Sequence, residues 1–355
     1  MKMSDAFSAA AIASVNTEAG SNKIPYLGLG LWPAKKKTGL DLKWIRTSKG
    51  LPVSLKPSAF DTKSTIRSRS GLSMQQTEMA YFKESMIVKE QDEQEIMRAE
   101  SSADPFVKEA LNNVYDDANM LIDGADVVPE RMRMQLLSST NGHPSISIQA
   151  DGTTYSYNYD PDGTYAANNF VELSGTSMWS DTTNSDPMQD VSDAQDAVEA
   201  KTGTRPGIMI ISKLTMNYLK KNAKIRAYVL AQNLTATVIM TDERVKAVFA
   251  TELAMTVVVY TKQFKDEANT AQKLYPDGMA ALVPADGNLG STWYGMTPEE
   301  RTLVSKPTAD VRIVNTGVAV AVTITDDPVQ TKTTVSEIVL PSFERMDETY
   351  QIKCY

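Results

Sequence analysis

The chain has 355 residues, 42% of them hydrophobic and 23% charged, with a formal net charge of −8 and a pI near 5.0. That is the composition of an ordinary soluble globular protein, long enough for one large core or two domains. It contains no apolar run near the roughly 18–20 residues that span a bilayer, and its acidic balance excludes broad nucleic-acid binding, which needs a basic face.

The opening MKMSDAFSAAAIASVN has one Lys and a short Ala-rich stretch broken by Ser, too weak for a secretory signal, so it reads as an N-terminal arm. Pro25, Gly28, Gly30 and Pro33 keep residues 1–44 irregular. Residues 45–90 are expected to form a long extended excursion, a hairpin whose returning strand is TEMAYFKESMIVKE. Charge separates sharply here. Between residues 35 and 69 stand Lys35, Lys36, Lys37, Lys43, Arg46, Lys49, Lys56, Lys63, Arg67 and Arg69, against only Asp41 and Asp61. From Glu78 to Glu130, both included, fourteen acids stand against Lys83, Lys89, Arg98 and Lys108. The basic stretch WIRTSKGLPVSLKPSAFDTKSTIRSRSG lacks a core-like period and is cut by Gly50, Pro52, Pro57 and Gly71. It cannot bury enough of itself to order alone, but it can order against the acidic face of a neighbouring copy. The pattern points to a protein whose function is its own assembly.

A helix is expected from Asp104 as N-cap and Pro105 as first helical residue, with Val107, Leu111, Val114, Ala118 and Leu121 on one face. Gly124 should end or kink it, and a second piece should restart near Pro129 and stop at Asn141-Gly142, giving one long, interrupted helix of about 35 residues. Next, Ile146 and Ile148 alternate with Ser, Asp151-Gly152 forms a two-residue turn, and Tyr155, Tyr157 and Tyr159 alternate on the return. The tyrosines suit either a pleated face on the long helix or a base-stacking platform; no basic residues interleave them. ELSGTSMWSDTTNSD is a low-complexity loop. From Asp186-Pro187 the pattern becomes α/β: a helix with Met188, Val191, Ala194 and Val198 ending at Gly203, strand GIMII, a helix capped by Ser212, strand TATVIM, helix DERVKAVFATE and strand AMTVVVY. MAALV, DVRIVN, GVAVAVTI, TTVSEIVL and ETYQIKCY are strands, expected to complete one β-rich region with the early hairpin.

No catalytic constellation emerges. His143 is the single histidine and sits in NGHP, a turn, where neither a triad nor a metal cluster can form around it. Gly28-Leu29-Gly30 lacks a third glycine, and no GxxxxGK[ST] occurs. Asp160-Pro161-Asp162-Gly163 starts like a calcium loop but lacks its twelfth-position acid, which favours a turn. Asp181, Asp186 and Asp190 are candidate metal ligands for a hydrolase, though Asp186 is better used as a cap. Asn233-Leu-Thr matches a sequon. Cys354, the one cysteine, excludes a disulfide framework, points to a reducing compartment, and has only Lys353 nearby to lower its pKa. The chain is therefore expected to be no enzyme, with no cofactor or metal.

LKWIRTSKGLPVSLKPSAFDTKSTIR followed by TEMAYFKESMIVKEQDEQEI resembles the extended-loop region of tailed-bacteriophage major capsid proteins, the nearest group being the lambda-like capsid protein E family. DGADVVPERMRMQLL is similar to the end of that family's spine helix, and SDPMQDVSDAQDAVEAKTGTRPGIMIIS to the first helix and strand of its axial domain. ADGNLGSTWYGMTPEE and VSEIVLPSFERMDETYQIKCY resemble its later landmarks, so the likeness spans roughly residues 24–355.

The resemblance implies an α+β, Hong Kong 97-type capsid fold: N-terminal arm 1–44, extended loop 45–90, peripheral domain 91–185 with spine helix and hairpin, axial α/β domain 186–335 with return to the peripheral domain, and C-terminal strands 336–355. It implies self-assembly as pentamers and hexamers into an icosahedral virion shell around double-stranded DNA, in the host cytoplasm. Lys56, Lys63, Arg67 and Arg69 of the loop are the expected intersubunit contacts, meeting Glu93, Glu95, Asp116 and Asp117 of a neighbour. Some relatives crosslink through a Lys and an Asn, but no such pair maps here. Only about 24 residues precede the matched region, so a separate scaffolding protein is the expected helper; a decoration protein and a portal at one vertex are further expected partners, and no membrane is. The alternative on the same fold is an encapsulin-like, non-viral compartment.

Overall fold

A computed structural model of the chain describes residues 26–46, 74–90, 106–150, 153–232, 239–266, 268–303, 309–326 and 329–355, with side chains in the long helix described from Asn119 onward. Helix α1 (Leu27–Leu31) leads to strands β1 (Ala34–Lys36) and β2 (Asp41–Ile45); β3 (Met74–Glu78) and β4 (Ala80–Val88) follow.

Helix α2 (Phe106–Leu137) is continuous for 32 residues, so the expected interruption at Gly124 and Pro129 does not occur. Pro129 removes one backbone bond and costs about 3 kcal/mol in a free helix. Here burial outweighs that cost: Leu121, Ile122 and Ala125 before it, and Met132, Met134, Leu136 and Leu137 after it, are all buried. The helix ends short of the expected Asn141-Gly142 stop, where Ser138 Oγ donates to the Met134 carbonyl at 2.7 Å. The Asp104-Pro105 cap lies outside the described residues.

Hairpin strands β5 (Ser145–Ala150) and β6 (Thr153–Asn158) pair as the alternation predicts, with Ile146 opposite Tyr157 and Ile148 opposite Tyr155. Both isoleucines are buried. The Gln135 side chain of α2 brackets Ser147, donating to its carbonyl at 3.0 Å and accepting from its N–H at 2.9 Å. Of the three tyrosines, Tyr159 is buried, whereas Tyr155 and Tyr157 are half-buried and stack on each other with ring centroids 6.4 Å apart.

A one-turn helix α3 (Thr164–Asn168) and strand β7 (Phe170–Glu172) follow. Helix α4 (Pro187–Thr202) starts where Asp186 accepts from the Gln189 N–H and stops at Gly203, whose φ of 74° suits glycine. Strand β8 (Pro206–Ile211) and helix α5 (Lys213–Lys221), capped by Ser212, also match expectation. Helix α6 (Ala223–Gln232) was not expected. The expected strand TATVIM lies mostly outside the described residues, and its last two positions, Ile239 and Met240, are irregular rather than strand. Helix α7 (Asp242–Leu253) and strands β9 (Thr256–Val259), β10 (Gln263–Lys265), β11 (Ala271–Lys273), β12 (Met279–Pro284) and β13 (Thr292–Tyr294) come next. A π-turn at Glu299–Leu303 precedes β14 (Ala309–Val314), β15 (Val318–Asp326) and β16 (Val329–Pro341), and a 3-10 turn at Met346–Glu348 precedes β17 (Tyr350–Lys353).

The chain forms two compact bodies. The first comprises Met1–Leu42, Gln76–Arg131 and Ser291–Ser342; the second comprises Lys43–Gln75, Met132–Gly290 and Phe343–Tyr355. In the first, β16 is the organising strand: β4 pairs along one edge, β15 and then β13 along the other, and β14 and β1 extend the sheet outward. Val314, Val318, Val320, Val322 and Val335 line one face and bury Leu121, Ile122 and Ala125 of α2. In the second body the sheet order is β7-β17-β12-β8-β9, and Trp179, Val191, Met209, Phe249, Leu282 and Ile352 belong to its core. The strands after Met279 therefore do not complete one β-rich region with the hairpin. They divide between two sheets, and β5–β6 stands as a sheet of its own.

Candidate functional site

The charge separation makes the excursion between β2 and β3 the first place to look. Lys56, Lys63, Arg67, Arg69, Glu93 and Glu95 lie outside the described residues, and Asp116 and Asp117 lie on α2 with side chains outside them. What the described structure defines is the root from which the excursion leaves.

Strand β2 pairs with β3 in a two-stranded sheet, so the outgoing and returning segments are joined at their base. One residue beyond β2, the Arg46 guanidinium grips the Asp347 carboxylate twice, Nε to Oδ2 at 3.0 Å and Nη2 to Oδ1 at 2.5 Å. Both side chains are largely buried, at 11% and 7% exposure. A planar fork on a carboxylate fixes direction as well as distance. Lys201 approaches the same carboxylate at 3.8 Å and donates to Asn169 Oδ1 at 3.2 Å, while Asn169 Nδ2 donates to the Asp347 carbonyl at 3.0 Å. Beside this network the Trp44 ring lies 5.3 Å from that of buried Tyr159.

The early part of the basic run is also held within its own chain. Lys35 lies over the Trp293 ring at 5.4 Å, Lys36 pairs with Glu300 at 2.6 Å, and Lys37 Nζ donates to the Asp41 carbonyl at 2.6 Å. Sequence spacing shows a basic stretch; it does not show that its first members are matched by aromatic and acidic residues some 260 positions later.

Strand β4 is fixed through Glu299, which is 4% exposed. Its carboxylate accepts from Lys83 Nζ at 2.5 Å, Ser336 Oγ at 2.8 Å and the Tyr81 hydroxyl at 3.2 Å. Burial pushes the Glu299 carboxyl up, but Lys83 and Ser336 outweigh it and hold it below the usual range. Lys83 is correspondingly raised, first by its hydrogen bond to Glu299. At the start of the described chain, buried Glu130 of α2 accepts from the Gly28 N–H at 3.0 Å, tying α1 to the long helix.

The candidate chemical groups have structural uses. Asp160 accepts from the Tyr165 and Ala166 N–H groups at 2.8 and 3.0 Å, holding the turn before α3, and lies 3.0 Å from Nδ1 of His143 in the turn after α2. Asp181 accepts from its neighbours Thr183 and Asn184, Asp186 caps α4, and Asp190 accepts from Trp179 Nε1 at 2.8 Å. Cys354 is fully buried, and burial, reinforced by Asp190, pushes its thiol well above the ordinary value. Among the described residues no group of three His, Cys, Asp or Glu side chains is placed to hold a metal, and no helix is long and apolar enough to cross a membrane.

Comparison with curated proteins returns no match. Solved structures do resemble the chain. A phage-related protein from Bordetella bronchiseptica RB50 is 17% identical with a TM-score of 0.56, and 96% of each chain is covered. A protein described as the capsid protein of a prophage in Escherichia coli CFT073 is 14% identical with a TM-score of 0.56, covering 96% of this chain and 98% of that one. The capsid protein of cyanophage A-1(L) is 14% identical with a TM-score of 0.52, covering 93% and 92%. The shared architecture is the α+β, Hong Kong 97-type capsid fold. The model of the family described as phage major capsid protein E matches residues 13–354, and the chain belongs to that family.

Proposed function

We propose that the chain assembles as pentamers and hexamers into the icosahedral shell of a tailed phage or prophage, enclosing double-stranded DNA without sequence-specific binding. Family membership makes it a major capsid protein, a structural component of the virion that associates with itself. The match over residues 13–354 is the observation that carries the reading, and the basic excursion with a fixed root supports its assembly mechanism. Residues 45–90 serve as the extended loop, with Lys56, Lys63, Arg67 and Arg69 meeting Glu93, Glu95, Asp116 and Asp117 of an adjacent copy. Residues 1–44 act as the arm, 91–185 as the peripheral domain, 186–335 as the axial domain with return, and 336–355 as the C-terminal strands. Many weak contacts, repeated by symmetry, close a stable shell. A scaffolding protein, a portal at one vertex and a decoration protein are the expected partners, and the host bacterial cytoplasm is the site of assembly. The net charge of −8 supports a wall that repels packaged DNA rather than adhering to it.

Negative-stain electron microscopy of the leading size-exclusion peak tests this reading. Closed shells, or rings of five or six subunits, are expected, alone or on co-expression with neighbouring genes. A monomer or dimer persisting across concentration, salt and co-expression overturns it. Closed shells that form without helper proteins and carry a co-purifying enzyme would instead mark an encapsulin-like compartment.

A further inference from the structure

We propose that Asp347 anchors the root of the extended loop and that Arg46 is a positioning residue for assembly, setting the direction in which residues 47–73 leave their own subunit. The inference rests on the reading of that segment as a loop that reaches an adjacent copy. Arg46 belongs to the basic run, yet its guanidinium is committed to its own chain by two hydrogen bonds to one largely buried carboxylate.

The carboxylate is not needed to hold its own turn. The Met346–Glu348 turn is fixed by Arg345 Nη2 on Glu348 Oε2 at 2.5 Å and by Thr349 Oγ1 donating to the Met346 carbonyl at 2.8 Å. Asn169 Nδ2 adds bonds to the carbonyls of Asp347 at 3.0 Å and Thr349 at 2.7 Å. The Asp347 side chain is thus left to face Arg46, with Lys201 3.8 Å away on the same carboxylate. Trp44 beside Tyr159 and the pairing of β2 with β3 hold the segment immediately before Arg46. Backbone position is set by those contacts; the guanidinium fork adds orientation at the last residue before the loop. A lysine in its place would keep the charge but lose the planar two-point grip.

The test compares Arg46→Ala, Arg46→Lys and Asp347→Asn with the parent. Spin labels at Lys56→Cys and Asp193→Cys report loop direction within the unassembled subunit, because buried Cys354 takes no label in the folded chain. The distance distribution should broaden at least twofold in Arg46→Ala and Asp347→Asn, and less in Arg46→Lys, with circular dichroism unchanged. Shell yield should fall at least tenfold in the first two and partly recover in Arg46→Lys. Equal distributions in parent and variants, or undiminished yield, overturn the proposal. The paired variant Arg67→Glu with Arg69→Glu separates the two readings. If it abolishes shells while Arg46→Ala assembles like the parent, the anchor is wrong and the loop contact stands. If it assembles like the parent, the loop contact is wrong, and the intrasubunit distances alone decide for or against the anchor.

Discussion

Lys83 Nζ lies 2.5 Å from Glu299 Oε1, joining strand β4 to the π-turn at Glu299–Leu303. The carboxylate is buried, whereas 44% of the lysine side chain remains exposed, so Lys83 can turn to water if its partner is lost. Glu299→Gln should therefore cost about 1–3 kcal/mol, the range for removing one partner of a buried charged hydrogen bond. The pH dependence has a definite sign. Because the folded carboxyl titrates below its unfolded value of about 4.3, its contribution is complete above that pH and is lost as pH falls through the lower folded value. Lys83, raised in the folded state, contributes fully below about 10.4 and loses that contribution as pH rises through its raised value. Urea unfolding at several pH values should show the parent losing stability in acid more steeply than Glu299→Gln. Parallel acid limbs would assign the acid sensitivity to other groups.

Two glycines should respond in opposite directions. Gly124 is exposed in the middle of α2 with nothing within 4 Å of where a Cβ would stand, so Gly124→Ala should stabilise the unassembled protein by about 0.5–1 kcal/mol. At Gly317, buried in the turn between β14 and β15, an added Cβ would stand 2.4 Å from Tyr294 Cβ and 2.5 Å from its Cδ1. Gly317→Ala should destabilise by about 1–3 kcal/mol, as overpacking does. Thermal unfolding of the two variants beside the parent measures both.

The same contrast explains what the sequence could show of the fold. Helices α4 and α5 were legible because Asp186-Pro187, Gly203 and Ser212 act within a few residues of themselves. Helix α6 was hidden: Asn222, the C-cap of α5, also accepts from the Lys224 and Ile225 N–H groups at 3.0 and 3.1 Å and so starts the next helix. Among its described side chains the buried apolar ones are Ile225 and Val229, too few to set a period. Local rules also predicted a break in α2, because they count the cost of Gly124 and Pro129 without the burial on either side. Strand alternation located β12 and β14 to β17, missed the three-residue β13, and carries no information about partners. Val335 faces Glu84 and Val320 across β16, while Ile352 faces Ala280 in the other sheet. The charge contrast behind the proposed loop contact is visible in the sequence; the Arg46–Asp347 ion pair is not, since its partners are 301 positions apart.

Cys354 should be inert in the folded chain. It is fully buried, and its thiol, raised first by burial and then by Asp190, holds little thiolate at neutral pH. A colourimetric thiol reagent at pH 7.5 should react at least 100-fold more slowly with native protein than with protein in denaturant. Comparable rates would show that the C-terminal strand opens readily.

The loop charges should govern assembly more than folding. Arg67→Glu with Arg69→Glu replaces two positive charges by two negative ones in the basic segment proposed to meet an acidic surface of a neighbouring copy, so attraction should become repulsion at each repeated contact. A solvent-exposed pair contributes only about 0.2–1 kcal/mol, too little to unfold a subunit. Summed over the many equivalent contacts of a closed shell, the same change should abolish assembly while leaving circular dichroism and the unfolding midpoint unchanged. Parent shells should form less readily as salt rises, because the Debye length shortens from about 10 Å at 0.1 M to about 3 Å at 1 M. The reversed variant should lose that dependence or invert it. Sedimentation of assembled material across a salt series measures both; normal yield with the parent's salt dependence would remove Arg67 and Arg69 from the contact.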